Sequence, residues 1–374
     1  MRRTRKRALS APLLLVWGAC SVSSYQTFDG RADLERRYIE RLGPERAAEV
    51  RIPFDLTPEL EAAIDSRLSP AGGEKRRTEE ILDFIFSGLG LRYALTPTRD
   101  AAETFEARQA NCLSFVHLFV GIARRQRLNP FYVEVEDYQR WNYRDGAVVS
   151  QGHIVAGMYL DGELSTFDFL PYQPKSYRQF RPIDDLTAMA HHYNNVGAEA
   201  LLAGDLDRAR ELLEIAYRLA PDFTKAVNNL GVLMLRSGEV DDAVALYERT
   251  LELHPDNVPL LSNLARAYQA QGRVEEARQL LQRIADTDAS NPFLHIYRGE
   301  AALAEGDAAR ALESMRRALR ADSGLPEVHV GLVKVYLALG ELRKARHHVE
   351  RALRLDATDE EARHYAELLA RGAS

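Results

Sequence analysis

Cysteine is scarce in this sequence, which holds only Cys20 and Cys112 among its 374 residues. Two cysteines, one of them near the N-terminus, exclude a fold that is stabilised by a framework of disulfide bonds. Basic charge is not in excess, because 49 lysines and arginines stand against 55 aspartates and glutamates, and this balance argues against nucleic acid as the main partner. Apolar runs after Cys20 stay well short of the roughly 20 residues that cross a bilayer. What remains is an ordinary globular composition with 46% hydrophobic residues, and the length is typical of two or three domains.

The N-terminal segment combines a basic head, an apolar stretch at residues 8–19 and then Cys20. This order is typical of a secretory signal. The small pair Gly18-Ala19 directly before Cys20 resembles the lipobox of bacterial lipoproteins, in which the cysteine becomes the new N-terminus and carries lipid. The resemblance implies a signal peptide at 1–19, a lipid-anchor tether at 20–31 and a location on the periplasmic face of the bacterial outer membrane. The alternative is an ordinary signal whose cysteine stands there by chance.

The C-terminal half carries a repeat of 34 residues. The small residues that recur in this frame are Gly204, Gly238, Gly272, Gly306 and Gly340, then Ala209, Ala243, Ala277, Ala311 and Ala345, and at a third position Gly197, Gly231, Ala265 and Gly299. Only Val333 interrupts the third series. Period and residue types resemble the tetratricopeptide repeat family. The resemblance implies an all-α solenoid of paired antiparallel helices, in which each glycine ends the first helix of its pair in a left-handed turn.

The frame predicts five repeats, at 190–223, 224–257, 258–291, 292–325 and 326–359, and a capping helix at 360–374. Stacks of this kind have a concave groove that usually takes a protein or peptide partner. The predicted groove positions are Asn194, Lys225, Asn228, Ser262, Arg266 and Lys334. The family's clamp for a C-terminal carboxylate needs a Lys/Asn pair four residues apart, and no such pair occurs at Asn194 or Asn228. Helix packing is the favoured role for these two asparagines.

Cys112 begins an apolar run that extends to about Leu128 and predicts a buried helix. Asn111 can cap the start of that helix. Cys112 would then lie in the first turn, where unpaired N–H groups and the helix dipole favour a thiolate. The alternative is a buried small hydrophobic residue, the commonest role of a free cysteine.

Strands are predicted downstream at residues 131–135, 153–160 and 163–169. Asp161-Gly162 between the last two is the strongest short signal for a hairpin with a two-residue turn. That turn sets a register in which Leu160 faces Glu163.

The same register places His153 opposite Leu170 and puts Asp168 on the face of the sheet that carries His153. The diagonal separation of about 7–8 Å is one that a hydrogen bond between the two side chains can bridge. A carboxylate there would fix the imidazole tautomer and leave the other ring nitrogen to take a proton from Cys112.

A helix and two strands that carry Cys112, His153 and Asp168 in this order resemble the transglutaminase-like superfamily. Tyr93, residues 98–103 and the Arg124-Arg125 pair add to the resemblance. It implies an α+β papain-like transglutaminase domain, at 32–182 with its N-terminal helices and C-terminal linker. It also implies that Cys112 is the nucleophile, His153 the general base and Asp168 the residue that orients it. The sequence has no metal motif and no phosphate-binding glycine loop, so no cofactor is expected.

The superfamily contains both amide hydrolases and cross-linking acyltransferases. A peptidase or amidase is the favoured hypothesis. Extracytoplasmic bacterial sites are exposed to water, which can accept the acyl group, and nothing in the sequence encodes a pocket for an amine. The combined prediction is a lipid-anchored envelope thiol enzyme whose solenoid binds a protein substrate or partner. The rival hypothesis is a non-enzymatic scaffold, in which the repeats are the function and the triad is residual.

Several further side chains are expected to have structural rather than catalytic roles. His117 is expected to pack or hydrogen-bond within its helix, and Trp141 to pack at the rim of the site from a polar loop. The pairs His191-His192 and His347-His348 lack the spacing of a metal site and are expected in solvated or interhelical positions. Residues 171–182, rich in proline and aromatic residues, are expected to form a linker packed against the domain.

Overall fold

The computed structural model of the chain describes residues 30–144, 147–169, 180–287, 292–355 and 359–371. The predicted signal peptide, Cys20 and linker residues 171–179 lie outside the described residues. The chain divides into two compact units, which are called the first and the second unit below: Met1–Arg140 with Gln151–Ala226, and Trp141–Ser150 with Val227–Ser374. No helix in the described ranges is both long enough and apolar enough to cross a membrane.

Short helices open the first unit, with Gly43 between the first two and Gly72-Gly73 between the last two. They are α1 (Arg31–Leu42), α2 (Pro44–Ala47), α3 (Pro58–Asp65) and α4 (Glu74–Asp83), which continues as a π-helical turn over Phe84–Gly88. The side chain of Thr57 accepts the N–H of Leu60 at 3.3 Å, and Pro58 occupies the first helical position. Thr57 therefore caps the start of α3.

The central helix of the first unit is α6 (Cys112–Arg125). It follows β1 (Arg92–Tyr93), α5 (Ala101–Ala107) and β2 (Gln109–Ala110), and β1 pairs with β2 in parallel. Every residue of α6 from Leu113 to Ala123 is buried, which confirms the predicted core helix. A Cβ on Gly121 would lie 2.5 Å from the carbonyl oxygen of Phe54, so glycine is required for this close approach of helix and loop.

One sheet has the strand order β5-β4-β3-β6, with β3 (Phe131–Arg144), β4 (Ala147–Leu160), β5 (Glu163–Phe167) and β6 (Phe180–Ile183). Leu160 pairs with Glu163 across the antiparallel β4 and β5. Asp161 and Gly162 both have positive φ, 52° and 83°, as a two-residue hairpin turn of this kind requires. The predicted hairpin is confirmed, and its register holds from Leu160–Glu163 to Ala156–Phe167. Leu170, the predicted partner of His153, lies outside the described residues.

Two expectations for this region are wrong. Trp141 lies within β3 rather than in a loop, and Tyr138 and Tyr143 on either side of it are of a residue type that favours strands. Residues 180–183 are not linker but the strand β6, antiparallel to β3. Pro182 fits there because β6 is an edge strand, where a missing N–H is tolerated.

The rest of the chain is a succession of helices at the predicted spacing. They are α7 (Asp185–Ala203), α8 (Leu206–Leu219), α9 (Thr224–Arg236), α10 (Val240–Leu253), α11 (Val258–Ala270), α12 (Val274–Thr287), α13 (Pro292–Ala304), α14 (Ala308–Ala321), α15 (Pro326–Ala338), α16 (Leu342–Leu355) and α17 (Glu360–Arg371). The glycines of the 34-residue frame lie between the helices of each pair, with φ between 72° and 82°. The predicted left-handed turns are confirmed.

Small residues of the repeat lie where two helices cross closely. A Cβ on Gly231 would lie 2.6 Å from Cε1 of Tyr247, and one on Gly299 would lie 2.8 Å from Cε of Met315. Both partner side chains are fully buried and have little room to move. Close packing of the two helices therefore requires a small residue at the third position of the repeat.

Candidate functional site

Cys112 is the first residue of α6, and Asn111 caps that helix as predicted. The Asn111 side chain accepts the N–H of Ser114 at 2.9 Å. Cys112 is a free thiol and is partly exposed, in contrast to the fully buried residues that follow it. A thiol at a helix start that solvent can reach differs from the buried, inert cysteine of the alternative hypothesis.

The structure brings Cys112, His153 and Asp168 together. His153 lies on the central strand β4 and is 1% exposed, and its Nε2 is 3.0 Å from Oδ2 of Asp168, just beyond β5. The Cys112 side chain is a second hydrogen-bond partner of His153. One helix start and two adjacent strands thus supply a thiol, an imidazole and a carboxylate in contact.

The charges around His153 decide its protonation state. Burial alone lowers the pKa of His153, but the charges of Cys112 and Asp168 and their hydrogen bonds outweigh burial and raise this pKa to about 10. The imidazole therefore keeps its proton at neutral pH when Cys112 is a thiolate. A protonated imidazole in contact with Cys112 would stabilise negative charge on its sulfur.

Aromatic side chains hold the segment that carries Asp168. Phe169 directly follows it, and its ring lies 5.2 Å from Phe115 of α6, 5.5 Å from Phe86 and 5.8 Å from Tyr93, measured between ring centroids. Phe115 is one helical turn after Cys112 in α6. This packing ties the Asp168 backbone to the helix of the thiol, and it gives Tyr93 a structural place beside the site.

Three buried histidines form a separate cluster behind α6. His117 bonds across to β3 rather than within its helix as expected, with Nδ1 2.9 Å from the hydroxyl of Tyr132. The His117 ring lies 5.2 Å from the ring of His192. His191 and His192 are 2% and 9% exposed, so of their two expected positions the buried one is observed.

Burial dominates the titration of this histidine cluster. It lowers the pKa of His117 well below the ordinary value, the pKa of His191 to about 3 and the pKa of His192 to about 4. All three rings are neutral at physiological pH. Within the described residues, no three histidine, cysteine, aspartate or glutamate side chains are arranged to hold a metal ion.

Lys225 was expected in the groove of the repeats, but its side chain forms an ion pair with Glu134. Its Nζ lies 2.5 Å from Oε1 of Glu134 on β3, and Arg181 binds the other carboxylate oxygen. Burial alone raises the pKa of Glu134, but His191, Lys225 and Arg181 outweigh it and lower this pKa to about 2. Sequence reasoning missed Glu134, because a single charged residue in an alternating strand gives no sign of its partners.

The asparagines of the repeats serve helix packing, as expected. Asn194 and Asn228 are each 1% exposed. Nδ2 of Asn263 donates to Oδ1 of Asn228 at 2.7 Å, and the Tyr247 hydroxyl donates to the Asn228 carbonyl at 3.2 Å. These contacts hold neighbouring repeats of the second unit together.

Other polar side chains of the second unit are also used internally. The hydroxyl of Ser262 donates to the Val258 carbonyl at 2.8 Å, and Nζ of Lys334 lies 2.7 Å from Glu361. In the last repeat, Nδ1 of His348 lies 2.9 Å from Nδ1 of His329, whereas His347 is exposed. The pair His347-His348 therefore has one interhelical and one solvated member, as expected.

Family models of the tetratricopeptide repeat match residues 197–258, 234–295 and 302–371. These matches coincide with the helical pairs and left-handed glycine turns described above. The C-terminal region therefore consists of tetratricopeptide repeats in an all-α solenoid, and repeats of this kind generally bind protein partners. The comparison with curated proteins finds no match.

Three solved structures resemble about half of this chain. A thermophilic TPR protein of Thermus thermophilus is 24% identical, over 48% of this chain and 99% of that chain, with a TM-score of 0.44. The APC/C hetero-tetramer Cut9-Hcn1 is 19% identical, over 50% of this chain and 37% of that chain, with a TM-score of 0.42. MamA 41-end from Desulfovibrio magneticus RS-1 is 16% identical, over 46% and 97% of the two chains, with a TM-score of 0.32. Similarities at this level carry no argument about function.

Proposed function

We propose that the first unit is a thiol enzyme of the transglutaminase-like type, with a papain-like α+β architecture, and that it attacks an amide through Cys112. The observation that carries this proposal is the contact of Cys112 with His153, whose other side is bonded to Asp168 at 3.0 Å. The aromatic packing of Phe169 supports it, because this packing holds the residue after Asp168 against Phe115 of the helix that begins at Cys112. Cys112 is the nucleophile, His153 the general base and acid, and Asp168 the residue that orients the imidazole.

The first half of the reaction uses the thiolate and the imidazolium. The Cys112 sulfur attacks the amide carbonyl carbon, and a C–S bond forms. His153 then gives its proton to the amide nitrogen, the C–N bond breaks and the amine leaves, so that a thioester of Cys112 remains. The first N–H groups of α6 have no partner within the helix and can stabilise the negative charge on the carbonyl oxygen.

The second half consumes the thioester. The neutral His153 takes a proton from a water molecule, the water oxygen bonds to the carbonyl carbon and the C–S bond breaks, which releases a carboxylic acid and restores the thiolate–imidazolium pair. We favour water over a lysine amine, because Cys112 is partly exposed to solvent and an extracytoplasmic site is wet. The enzyme is then a peptidase or amidase rather than a cross-linking acyltransferase.

The tetratricopeptide repeats would bind the protein substrate or a protein partner. The repeat matches over residues 197–371 also favour a second candidate function, a non-enzymatic envelope scaffold in which these repeats act alone. The two candidates differ in what Cys112 does, since a scaffold needs no reactive thiol.

We place the protein in the bacterial cell envelope, attached to the periplasmic face of the outer membrane through lipid on Cys20. The support is the basic head, the apolar stretch and the pair Gly18-Ala19 before that cysteine. Contact with the membrane would come from the lipid. Cleavage before Cys20 removes five basic residues and leaves 44 lysines and arginines against 55 aspartates and glutamates, and a net charge of −11 does not attract anionic lipid heads.

The proposal is tested with a library of peptide amides, incubated with the full chain in the presence and absence of methylamine. Intact-mass spectrometry detects an acyl group on Cys112, and product analysis separates free acids from methylamides. We expect an adduct and free acids that are lost in Cys112→Ala. Absence of any Cys112-dependent adduct, together with full rescue of cells by Cys112→Ala, would favour the scaffold.

A further inference from the structure

The loop before Cys112 is held by a continuous chain of hydrogen bonds that ends on Glu199 of α7. Oε1 of Glu199 accepts the N–H and the hydroxyl of Thr98, both at 2.8 Å. Nδ2 of Asn111 donates to Oγ1 of Thr98 at 2.9 Å, and Oδ1 of Asn111 accepts the N–H and the hydroxyl of Ser114, both at 2.9 Å. These four residues, Glu199, Thr98, Asn111 and Ser114, are called the cap network below.

The carboxylate of Glu199 determines which group donates and which accepts in each hydrogen bond of the cap network. An ionised carboxylate only accepts, so the hydroxyl of Thr98 donates to Glu199 and offers its lone pair to Asn111. Asn111 must then turn its NH₂ group toward Thr98 and its oxygen toward Ser114. This is the orientation in which an asparagine caps a helix, whereas the flipped amide would place a donor against the Ser114 N–H.

The cap network is shielded from water, which could otherwise replace its bonds. Thr98 is 5% exposed, Asn111 is 6% exposed and Ser114 is 0% exposed. Burial raises the pKa of Glu199, and this rise is opposed by the hydrogen bonds from Thr98 and the charge of Arg99. Hydrogen bonds to a charged acceptor are roughly twice as strong as neutral ones, so Glu199 is the anchor of the network.

We propose that Glu199 is a positioning residue for Cys112, acting through Thr98 and Asn111 on the first turn of α6. The inference rests on the proposed function, because it assigns Glu199 a role in the reactivity of the Cys112 thiol. Glu199 belongs to the region predicted as the first repeat, so α7 becomes part of the reactive unit. A movement of α7 would be transmitted to Cys112 through the hydrogen-bonded side chains of Glu199, Thr98 and Asn111.

The test measures the rate at which iodoacetamide alkylates Cys112 in the folded full chain carrying Cys20→Ser, in which Cys112 is the only thiol. Thr98→Val removes the hydroxyl at constant shape, and Thr98→Ser restores it. Glu199→Ala removes the anchor. Glu214→Ala is the matched control, since Glu214 of α8 makes an ion pair of 3.1 Å to Arg46 in the same unit and has no bond to the cap network. Urea unfolding of each variant shows that the rates refer to folded protein.

We expect Thr98→Val and Glu199→Ala to slow alkylation roughly fivefold, the effect of losing one helix cap. Thr98→Ser and Glu214→Ala should react at the parent rate, even where Glu214→Ala lowers stability. Parent rates in Thr98→Val, or equal slowing in Thr98→Ser and Thr98→Val, would overturn the inference. If Glu199→Ala does not fold, the Thr98 pair decides alone.

Failure of the proposed function gives a different result. A parent chain whose Cys112 reacts more slowly when folded than in urea contradicts the proposed function, and this inference with it. A reactive parent whose variants are unchanged contradicts the inference alone.

Discussion

Nε2 of His153 lies 3.0 Å from Oδ2 of Asp168, and this hydrogen bond decides which ring nitrogen is left for Cys112. An ionised carboxylate only accepts, so Nε2 carries the hydrogen and Nδ1 is the nitrogen available to the thiol. His153 is 1% exposed, so water does not compete for this bond. The hydrogen bond therefore orients the ring before any substrate binds, and it fixes the tautomer once His153 has given up its Nδ1 proton.

The role of Asp168 is tested by its amide. We expect Asp168→Asn to lower turnover of an amide substrate at least roughly a hundredfold, because an amide can hold the imidazole in the wrong tautomer during proton transfer. Alkylation of Cys112 should fall much less, since it needs no proton transfer to a leaving group. Asp161→Asn in the turn of the same hairpin is the control. Equal losses of turnover in the two variants would contradict the orienting role.

The buried histidines make the stability of the first unit dependent on pH. The pKa values of His191 and His192 are lowered to about 3 and about 4, below the unfolded value near 6.5. The unfolded chain therefore binds more protons in this range, and the stabilisation that is complete above pH 6.5 is lost as the pH falls toward these lower values. Each histidine contributes about 1 kcal/mol per pH unit there.

The measurement is urea unfolding between pH 7.5 and pH 4.5. His192→Gln should reduce the slope of the unfolding free energy against pH, because one buried ring no longer has to stay neutral. His347→Gln replaces an exposed histidine and should leave the slope unchanged. A slope that is the same in both variants would show that burial of His192 is not its cause.

Repeat packing is tested at Gly231. Gly231→Ala would drive a methyl group into the buried ring of Tyr247, and we expect a loss of about 1–3 kcal/mol in the unfolding free energy. Gly73→Ala is the control, since nothing lies within 4 Å of the added Cβ there. Urea unfolding followed by circular dichroism measures both. A tolerated Gly231→Ala would mean that the helices of this repeat can separate at small cost.

The N-terminus is tested by mass spectrometry of the protein isolated from bacterial envelopes. We expect cleavage before Cys20 and acylation of that residue, because Gly18-Ala19 ends the apolar stretch directly before it. Cys20→Ser is the control and should lack the lipid. A mature chain that starts at another residue without lipid would contradict the anchor.

Much of the fold was predictable because its signals are local. The turn at Asp161-Gly162 sets the register of β4 and β5, and the Asn111 cap sets the start of α6. The turn brings His153 and Asp168 together and the cap places Cys112 in the first turn of α6, both without any knowledge of the rest of the chain. The 34-residue frame predicts the repeats for the same reason, since each glycine turn is encoded where it occurs.

The expectations that failed depend on contacts between distant residues. Lys225 was expected in a groove, but Glu134, 91 residues earlier, takes its charge. His117 of α6 bonds to Tyr132 of β3. Glu199, for which the sequence predicts no role, reaches Thr98 from the repeat region. None of these partners is marked by spacing in the sequence, because tertiary packing alone brings them together. The domain boundaries and the catalytic roles stay predictions.

The sharpest test of the thiolate–imidazolium pair is alkylation of Cys112 by iodoacetamide at pH 6, in the full chain carrying Cys20→Ser. We expect the folded protein to react faster than the same chain in urea, and His153→Ala to slow the folded reaction sharply, because the imidazolium that stabilises the thiolate is then lost. Slow alkylation that speeds up only on denaturation and is indifferent to His153→Ala would contradict the enzyme and leave the repeat scaffold.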